Sequence, residues 1–345
     1  MMTRLPVSVR IVLFTLAAGL LASLSVSAAG TLDIYFIDVE GGQATLLVTP
    51  TGQSMLIDAG WDGFDNRDPK RILAAARDAG IKRIDYLVIT HFHRDHIGGV
   101  PALAQQIPIG TFVDYGEPIE AGDFAQAPFK AYVPIRAAGS NRRPAPGETI
   151  DLQSVEVEIV TSGGAGISRA LSGASGARNA ACSTSTIPEA DEGENPRSLG
   201  IRVRFGKFTF LDLGDLPGAK LAALACPNNL LGHADVYLVP HHGNSDSAIP
   251  AVISAVSPRV AIVNNGATKG GYAAGFASLH EAKGIEDVWQ LHRTRNAGAV
   301  NYPDAFIVNL EEGEKDSGAY LKLSADENGA FTVSNSRTKQ TRSYK

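Results

Sequence analysis

Hydrophobic positions in this chain fall into short runs, and many of the runs end on a glycine, a proline or an ionisable side chain. Residues 32–39 (Leu-Asp-Ile-Tyr-Phe-Ile-Asp-Val) predict a first strand closed by the turn Gly41-Gly42. Residues 44–48 and 54–57 predict two more, joined through Pro50-Thr51-Gly52. A helix is expected next: Asp68 suits its cap, Pro69 its first position and Gly80 its exit, with Ile72, Leu73 and Ala76 as the buried stripe. Residues 86–89 predict a buried strand, and a second helix is expected from near Asp95 through Leu103 and Ala104. Proline and glycine interrupt residues 114–147 too often for assignment. Residues 155–160 alternate around Glu156 and Glu158, as a half-buried strand does. Residues 161–197 are rich in Gly, Ala and Ser and read as a long mobile loop. Strands resume at 199–205 and 207–213 around the turn at Gly206, and a short helix follows at 219–224. Further strands are expected at 234–239, 260–264 and 306–310, with helices near 248–256 and 276–283.

The first residues follow another pattern. Arg4 and Arg10 flank and enter a nearly continuous apolar stretch over 11–26, and Val26-Ser27-Ala28 supplies small residues at its end. This predicts a secretory signal peptide over residues 1–28, cleaved after Ala28 with Ala29 as a second position. The chain is therefore expected to be exported, to a periplasm or outside the cell. The stretch is short for a stable membrane span, so no membrane association is expected after cleavage.

The chain of 345 residues has a net charge of −5. Without Arg4 and Arg10 it keeps 29 basic against 36 acidic side chains, a net of −7. With no long basic run, a stable nucleic-acid complex held by phosphate contacts is not expected. Hydrolysis of a phosphodiester stays open, because metal ions can meet that charge. Cys182 and Cys226 are the two cysteines. An oxidising compartment permits their pairing, which the sequence leaves open, and neither stands in a CxxC pair that would bind zinc through thiolates.

Three of the eight histidines and an aspartate fall within residues 91–96, in Thr90-His91-Phe92-His93-Arg94-Asp95-His96-Ile97-Gly98-Gly99. His91 and His93 are two apart and share a side in extended backbone. Asp95 and His96 follow where the chain can turn into a helix, so three imidazoles and a carboxylate can converge on a divalent ion. Two later strands end in the same kind of residue: Leu211-Asp212-Leu213-Gly214-Asp215 and Leu238-Val239-Pro240-His241-His242-Gly243. Strand ends on one rim of a sheet are where sites are assembled.

Taken in order, Asp58-Ala59-Gly60, the histidine segment, Gly214-Asp215 and Val239-Pro240-His241-His242-Gly243 resemble the metallo-β-lactamase superfamily. Phe36-Ile37-Asp38-Val39-Glu40-Gly41-Gly42-Gln43-Ala44 is similar to the opening signature of one branch, the hydrolase domain of ComEC-type competence proteins. The resemblance implies an α+β fold, a four-layer αββα sandwich, expected over residues 31–320 with 321–345 as a C-terminal tail. It also implies one or two metal ions, usually zinc; imidazoles and carboxylates suit manganese as well. Carried over by motif, His91 and His93 bind one ion, Asp95, His96 and His242 bind the second, and Asp215 bridges them. Asp58 orients a histidine through its free ring nitrogen, and Asp95 also orients the attacking water. Bound metal lowers the pKa of water to about 7.

This chain departs from the superfamily pattern in lacking a histidine between His96 and His233, where Asn195 and Ser198 stand instead. Gln43 replaces the aspartate of the branch, and Gly271-Tyr272-Ala273 stands near where the branch has Gly-His-Pro. His241 reads as a neighbour of or alternate to His242, and His292 as a residue of the pocket rim. The expected function is metal-dependent hydrolysis, of a phosphodiester first, with a small molecule as the other substrate class. The alternatives are hydrolysis of a carboxylic ester, lactone or β-lactam, and a non-catalytic metal-containing binding protein.

Overall fold

The structure is a computed structural model that describes residues 30–189 and 191–345; the predicted signal peptide lies outside the described residues. The first half runs β1 (Leu32–Ile37), β2 (Thr45–Val48), β3 (Ser54–Ile57), α1 (Arg67–Asp78), β4 (Ile84–Val88), α2 (Arg94–Ile97), α3 (Val100–Ala104), β5 (Ile109–Val113), α4 (Asp123–Ala137) and β6 (Ser140–Arg142). The second runs β7 (Thr149–Leu152), β8 (Val155–Ser162), β9 (Ala165–Gly166), β10 (Gly200–Phe205), β11 (Phe208–Asp212), α5 (Gly218–Ala223), β12 (Val236–Leu238), α6 (Pro250–Val256), β13 (Val260–Val263), α7 (Ala273–Glu281), β14 (Asp287–His292) and β15 (Ile307–Asn309). Three strands close the chain: β16 (Tyr320–Ala325), β17 (Phe331–Asn335) and β18 (Thr341–Tyr344).

These form two sheets, ordered β18-β17-β16-β1-β2-β3-β4-β5-β6 and β15-β14-β13-β12-β11-β10-β8-β7, with β9 on β8. In each sheet antiparallel strands give way to parallel ones, at β3-β4-β5-β6 and at β11-β12-β13-β14-β15. The central core lies between the sheets; Phe36 on β1 meets Phe210 on β11 edge to face, ring centroids 5.5 Å apart. A second core joins the first sheet to α1, α3 and α4 through Ile72, Ala76, Leu103 and Tyr132. A third joins the second sheet to α5, α6 and α7 through Leu221, Val252, Val256 and Phe276. The order is thus helix, sheet, sheet, helix. It explains why β2, β3, β12 and β13, apolar but for Thr45 and Ser54, are buried on both faces. On β8 the alternation holds instead, with Glu158 on Arg202 and Glu156 on Arg204 of the neighbouring strand.

Several sequence expectations need correction. Asp68 is not the cap of α1, which starts at Arg67; its carboxylate accepts from the Trp61 N–H at 2.8 Å and from Arg67 Nε at 2.6 Å. The helix expected from Asp95 through Ala104 is two short ones parted by Gly98-Gly99, whose backbone lies against Trp61 and Ala59 too closely for a Cβ. The unassigned 114–147 stretch holds α4, fifteen residues long despite Pro128 and Pro134 within it. β14 went unread. Residues 161–197 are a loop, but one tethered by β9 and by a disulfide between Cys182 and Cys226. The expected tail at 321–345 belongs to the sandwich, for β16 pairs with β1 and places Leu321, Leu323, Phe331, Val333 and Tyr344 in the central core. No helix among the described residues is long and apolar enough to cross a membrane.

Candidate metal centre

The parallel strands of both sheets end on one rim. β3 leads into Asp58 and β4 into Thr90 through His96; β11 leads into Asp215, β12 into His241-His242 and β13 towards Lys269. Asp58, His241 and His242 have left-handed backbone, with φ of 58°, 51° and 56°. Such conformations cost about 1–3 kcal/mol each in a non-glycine residue and persist where the surroundings fix them. Here the loop after β13 does so: the Gly271 N–H bonds the His242 carbonyl at 2.7 Å, and Gly270 packs on His242 with no room for a Cβ.

Asp95, His96, Asp215 and His242 converge, their ligand atoms all within 4.8 Å of one another, and all four are buried. Asp215 Oδ2 is the hub. It lies 3.1 Å from His242 Nε2, 3.2 Å from His96 Nε2, 3.8 Å from His91 Nε2 and 4.0 Å from His241 Nε2. Asp95 Oδ2 lies 3.2 Å from both His96 Nε2 and His242 Nε2. His93 reaches the group through Nδ1, 3.1 Å from His91 Nε2.

For His91, His93, His96 and His241 the ring nitrogen turned away from this centre has its own partner. His96 Nδ1 donates to Asp58 Oδ2 at 2.7 Å, and Asp58 is held by the Thr90 N–H and hydroxyl at 2.8 and 2.6 Å. His91 Nδ1 donates to Thr90 Oγ1 at 3.1 Å, His93 Nε2 to Glu120 Oε2 at 3.1 Å and His241 Nδ1 to Asp246 Oδ1 at 2.9 Å. Each bond fixes a tautomer whose remaining nitrogen offers its lone pair.

The residues fit a divalent metal. Both ring nitrogens of His242, Asp95 Oδ1 and Asp215 Oδ1 are buried without a hydrogen-bond partner, although His242 Nε2 stands beside two carboxylates. Buried polar atoms left so are costly, about 1–3 kcal/mol each, and call for an ion. Ligands about 2.1 Å from a tetrahedral ion sit roughly 3.4 Å from one another, close to the 3.1 and 3.2 Å that separate His96 and His242 from the two carboxylates.

Charge is balanced by neighbours. Burial works against ionised Asp95 and Asp215, but Lys269 and His96 for the first, and His242, His96 and His241 for the second, hold both carboxyls well below their usual range. Burial, aided by His96, pushes His91 well below the ordinary histidine value. Burial also opposes charge on His96, yet Asp215, Asp95 and Asp58 raise it well above that value. Behind the rim, burial pushes Asp212 up to about 7, and its Oδ2 accepts from Gln43 Nε2 at 2.7 Å. The neutral amide at position 43 thus spares Asp212 a second carboxylate.

Lys269 bonds Asp95 and lies 5.0 Å over the Trp61 ring. Phe124 sits against Trp61 and His93, at 6.0 and 5.0 Å, and Trp61 in turn meets the exposed Phe64. Asn195 is here as well, its Nδ2 3.3 Å from His241 Nε2, while Ser198 Oγ accepts from the Asp215 N–H at 3.2 Å. His292 is not on the rim. It is fully buried at the end of β14, its ring nitrogens on the carbonyls of Arg293 and Glu311 at 3.0 and 3.1 Å, in a separate cluster with Asp38 and Asp316. Sequence reasoning missed Glu120, Asp246 and Lys269, which lie outside every motif, in the loops after β5, β12 and β13; a charged residue beyond an apolar strand was their only signal.

A four-layer sandwich with a histidine-rich rim at the parallel strand ends is the metallo-β-lactamase fold. The family model of the metallo-β-lactamase superfamily matches residues 38–171, which supports membership of that superfamily. Among curated proteins, the chain is 40% identical over 63 residues to a hydroxyacylglutathione hydrolase of Stenotrophomonas maltophilia, covering 18% of this chain and 21% of that protein. It is 35% identical over 71 residues to a metal-dependent hydrolase of Cupriavidus metallidurans, covering 20% and 23%. The matches thus span about a fifth of each relative. Among solved structures, the metallo-β-lactamase fold protein YhfI of Bacillus subtilis aligns with a TM-score of 0.43 and 11% identity over 77% of this chain and 98% of that one.

Proposed function

We propose that this chain is an exported, metal-dependent hydrolase whose preferred substrate is a phosphodiester. The observation that carries the reading is the centre itself: buried imidazoles with lone pairs turned inward around two carboxylates that have oxygens to spare. His91, His93, Asp95, His96, Asp215 and His242 would hold the ions, zinc or manganese. When bound, such ions act as Lewis acids that activate water and polarise the bond to be cleaved. Asp95 Oδ1, without a partner among the described residues, would accept a hydrogen bond from the attacking water and so orient it. Lys269 meets an anionic oxygen of the substrate, and the wall of Trp61 and Phe124 takes an apolar ester group. Asp58, Thr90 and Glu120 keep the histidines in register.

The phosphodiester choice rests on the ComEC-type motifs and on Lys269 at the centre. The match to a hydroxyacylglutathione hydrolase favours a second reading, hydrolysis of a carboxylic ester, lactone or related acyl bond. The complete donor set argues against a non-catalytic binding protein. The test is hydrolysis of bis-p-nitrophenyl phosphate against p-nitrophenyl acetate and a lactone, with zinc or manganese added. Phosphodiester turnover that His93→Ala abolishes together with bound metal supports the first reading. Acyl turnover alone moves the assignment to the second, and metal without either turnover leaves the binding protein. The apolar stretch after Arg4 and the disulfide support export; a periplasmic or secreted product beginning at Ala29 is the expected observation.

A further inference from the structure

We infer that His241 is itself a metal ligand, the third imidazole of the ion held by His91 and His93, and so fills the position left by the histidine this chain lacks between His96 and His233. The inference rests on the metal-centre reading above and deepens it. His241 and His242 are adjacent, and neighbours in extended backbone would point to opposite sides. Instead both residues take left-handed backbone, at φ 51° and 56°, which brings both rings to Asp215.

The imidazole nitrogens around Asp215 Oδ2 fall into two sets. His242 and His96, at 3.1 and 3.2 Å, also approach Asp95 Oδ2 and form one group with it. His91 and His241, at 3.8 and 4.0 Å, make no such approach to Asp95 among the described ion pairs. We therefore assign them to a second set on the same carboxylate, which His93 joins through Nδ1, 3.1 Å from His91 Nε2.

His241 is also prepared as a ligand. Its Nδ1 donates to both oxygens of Asp246, at 2.9 and 3.2 Å, which leaves the Nε2 lone pair facing inward. Among the described residues that nitrogen has one polar contact of hydrogen-bond length, a long 3.3 Å from Asn195 Nδ2. The imidazole with a carboxylate behind it repeats the arrangements of His96 on Asp58 and His93 on Glu120. A surface or substrate-contacting histidine needs neither the backbone strain nor the carboxylate.

The experiment loads the purified metal-free protein with cobalt and measures bound ion by mass spectrometry and visible absorption. Wild type is expected to bind two ions and His241→Ala one. Adding His93→Ala to His241→Ala is expected to leave that remaining ion, whereas adding His242→Ala removes it. Wild-type stoichiometry, affinity and spectrum in His241→Ala would overturn the inference and leave the metal centre standing. No ion bound by wild type would overturn both. Where His241→Ala does not fold, Asp246→Asn takes its place: it is expected to weaken one of the two ions about 10–100-fold, and unchanged affinity counts against His241.

Discussion

Replacing Asp58 with asparagine isolates the contribution of one carboxylate to the centre. The amide has the same shape, and asparagine tolerates the left-handed backbone at this position, φ 58°. Asp58 Oδ1 accepts from the Thr90 N–H, while Oδ2 accepts from the Thr90 hydroxyl and from His96 Nδ1. An asparagine keeps its carbonyl on the Thr90 N–H and turns its NH2 towards His96. Two N–H groups cannot face each other at 2.7 Å, so His96 must shift its proton to Nε2, the atom directed at Asp95 and Asp215. The lone pair is then lost to the ion unless the ring reorients in a site with no exposed surface. Loss of such an orienting partner weakens metal binding about 10–100-fold, or roughly 1.4–2.7 kcal/mol. Competition against a chromogenic chelator measures this, and thermal unfolding in EDTA separates it from damage to the fold. Affinity within twofold of wild type would refute the claim that Asp58 sets the His96 tautomer. An equal loss of stability in the metal-free protein would mean a packing defect instead.

Three further outcomes are expected. Deleting residues 321–345 removes Leu321, Leu323, Phe331, Val333 and Tyr344 from the central core; at about 1.5–3 kcal/mol each the loss is on the order of 10 kcal/mol, comparable with the whole stability of a domain, so near-ultraviolet circular dichroism should vanish, and cooperative unfolding in the truncated chain would contradict it. Replacing Cys182 and Cys226 with alanine frees a loop with 44 residues of separation and should cost up to about 4 kcal/mol, read as a lower urea midpoint; an unchanged midpoint refutes it. Asp235 raises the His233 imidazole above its ordinary value, so the pair stabilises fully below the unfolded pKa of about 6.5 and ceases to as pH rises through the higher folded value. His233 is half exposed, which limits the effect to about 0.5 kcal/mol; a ring titration by NMR at or below the ordinary value would refute it.

Much of the site was legible because metal ligands must stand together in sequence or at strand ends. His91, His93, Asp95 and His96 carry the pattern themselves, and Asp215 and His242 follow apolar runs that had to be strands. The partners behind them were not, because Glu120 and Asp246 reach their histidines from loops whose path depends on tertiary packing. His292 misled for the opposite reason. Followed by Arg293 and Arg295 it reads as pocket rim, but β14 carries it into the interior, where main-chain carbonyls replace water. In the fold, α4 was hidden by two prolines inside it, Pro128 on its buried face and Pro134 on its exposed one. The final strands were readable: Leu321, Leu323 and Ala325 alternate, as do Phe331 and Val333, a period that marks strands rather than a tail.

The donors of the centre are divided between the two sheets, with His91, His93, Asp95 and His96 on one and Asp215, His241 and His242 on the other. An ion there is a rivet through both plates of the sandwich, and its grip measures their alignment. A fraction of an ångström of slip between the sheets, such as the loss of the Phe36–Phe210 contact would permit, changes every distance across the rivet and none within a plate. Metal affinity in this protein is therefore a gauge of the distant core, and substitutions far from any ligand will register in it before they unfold the chain.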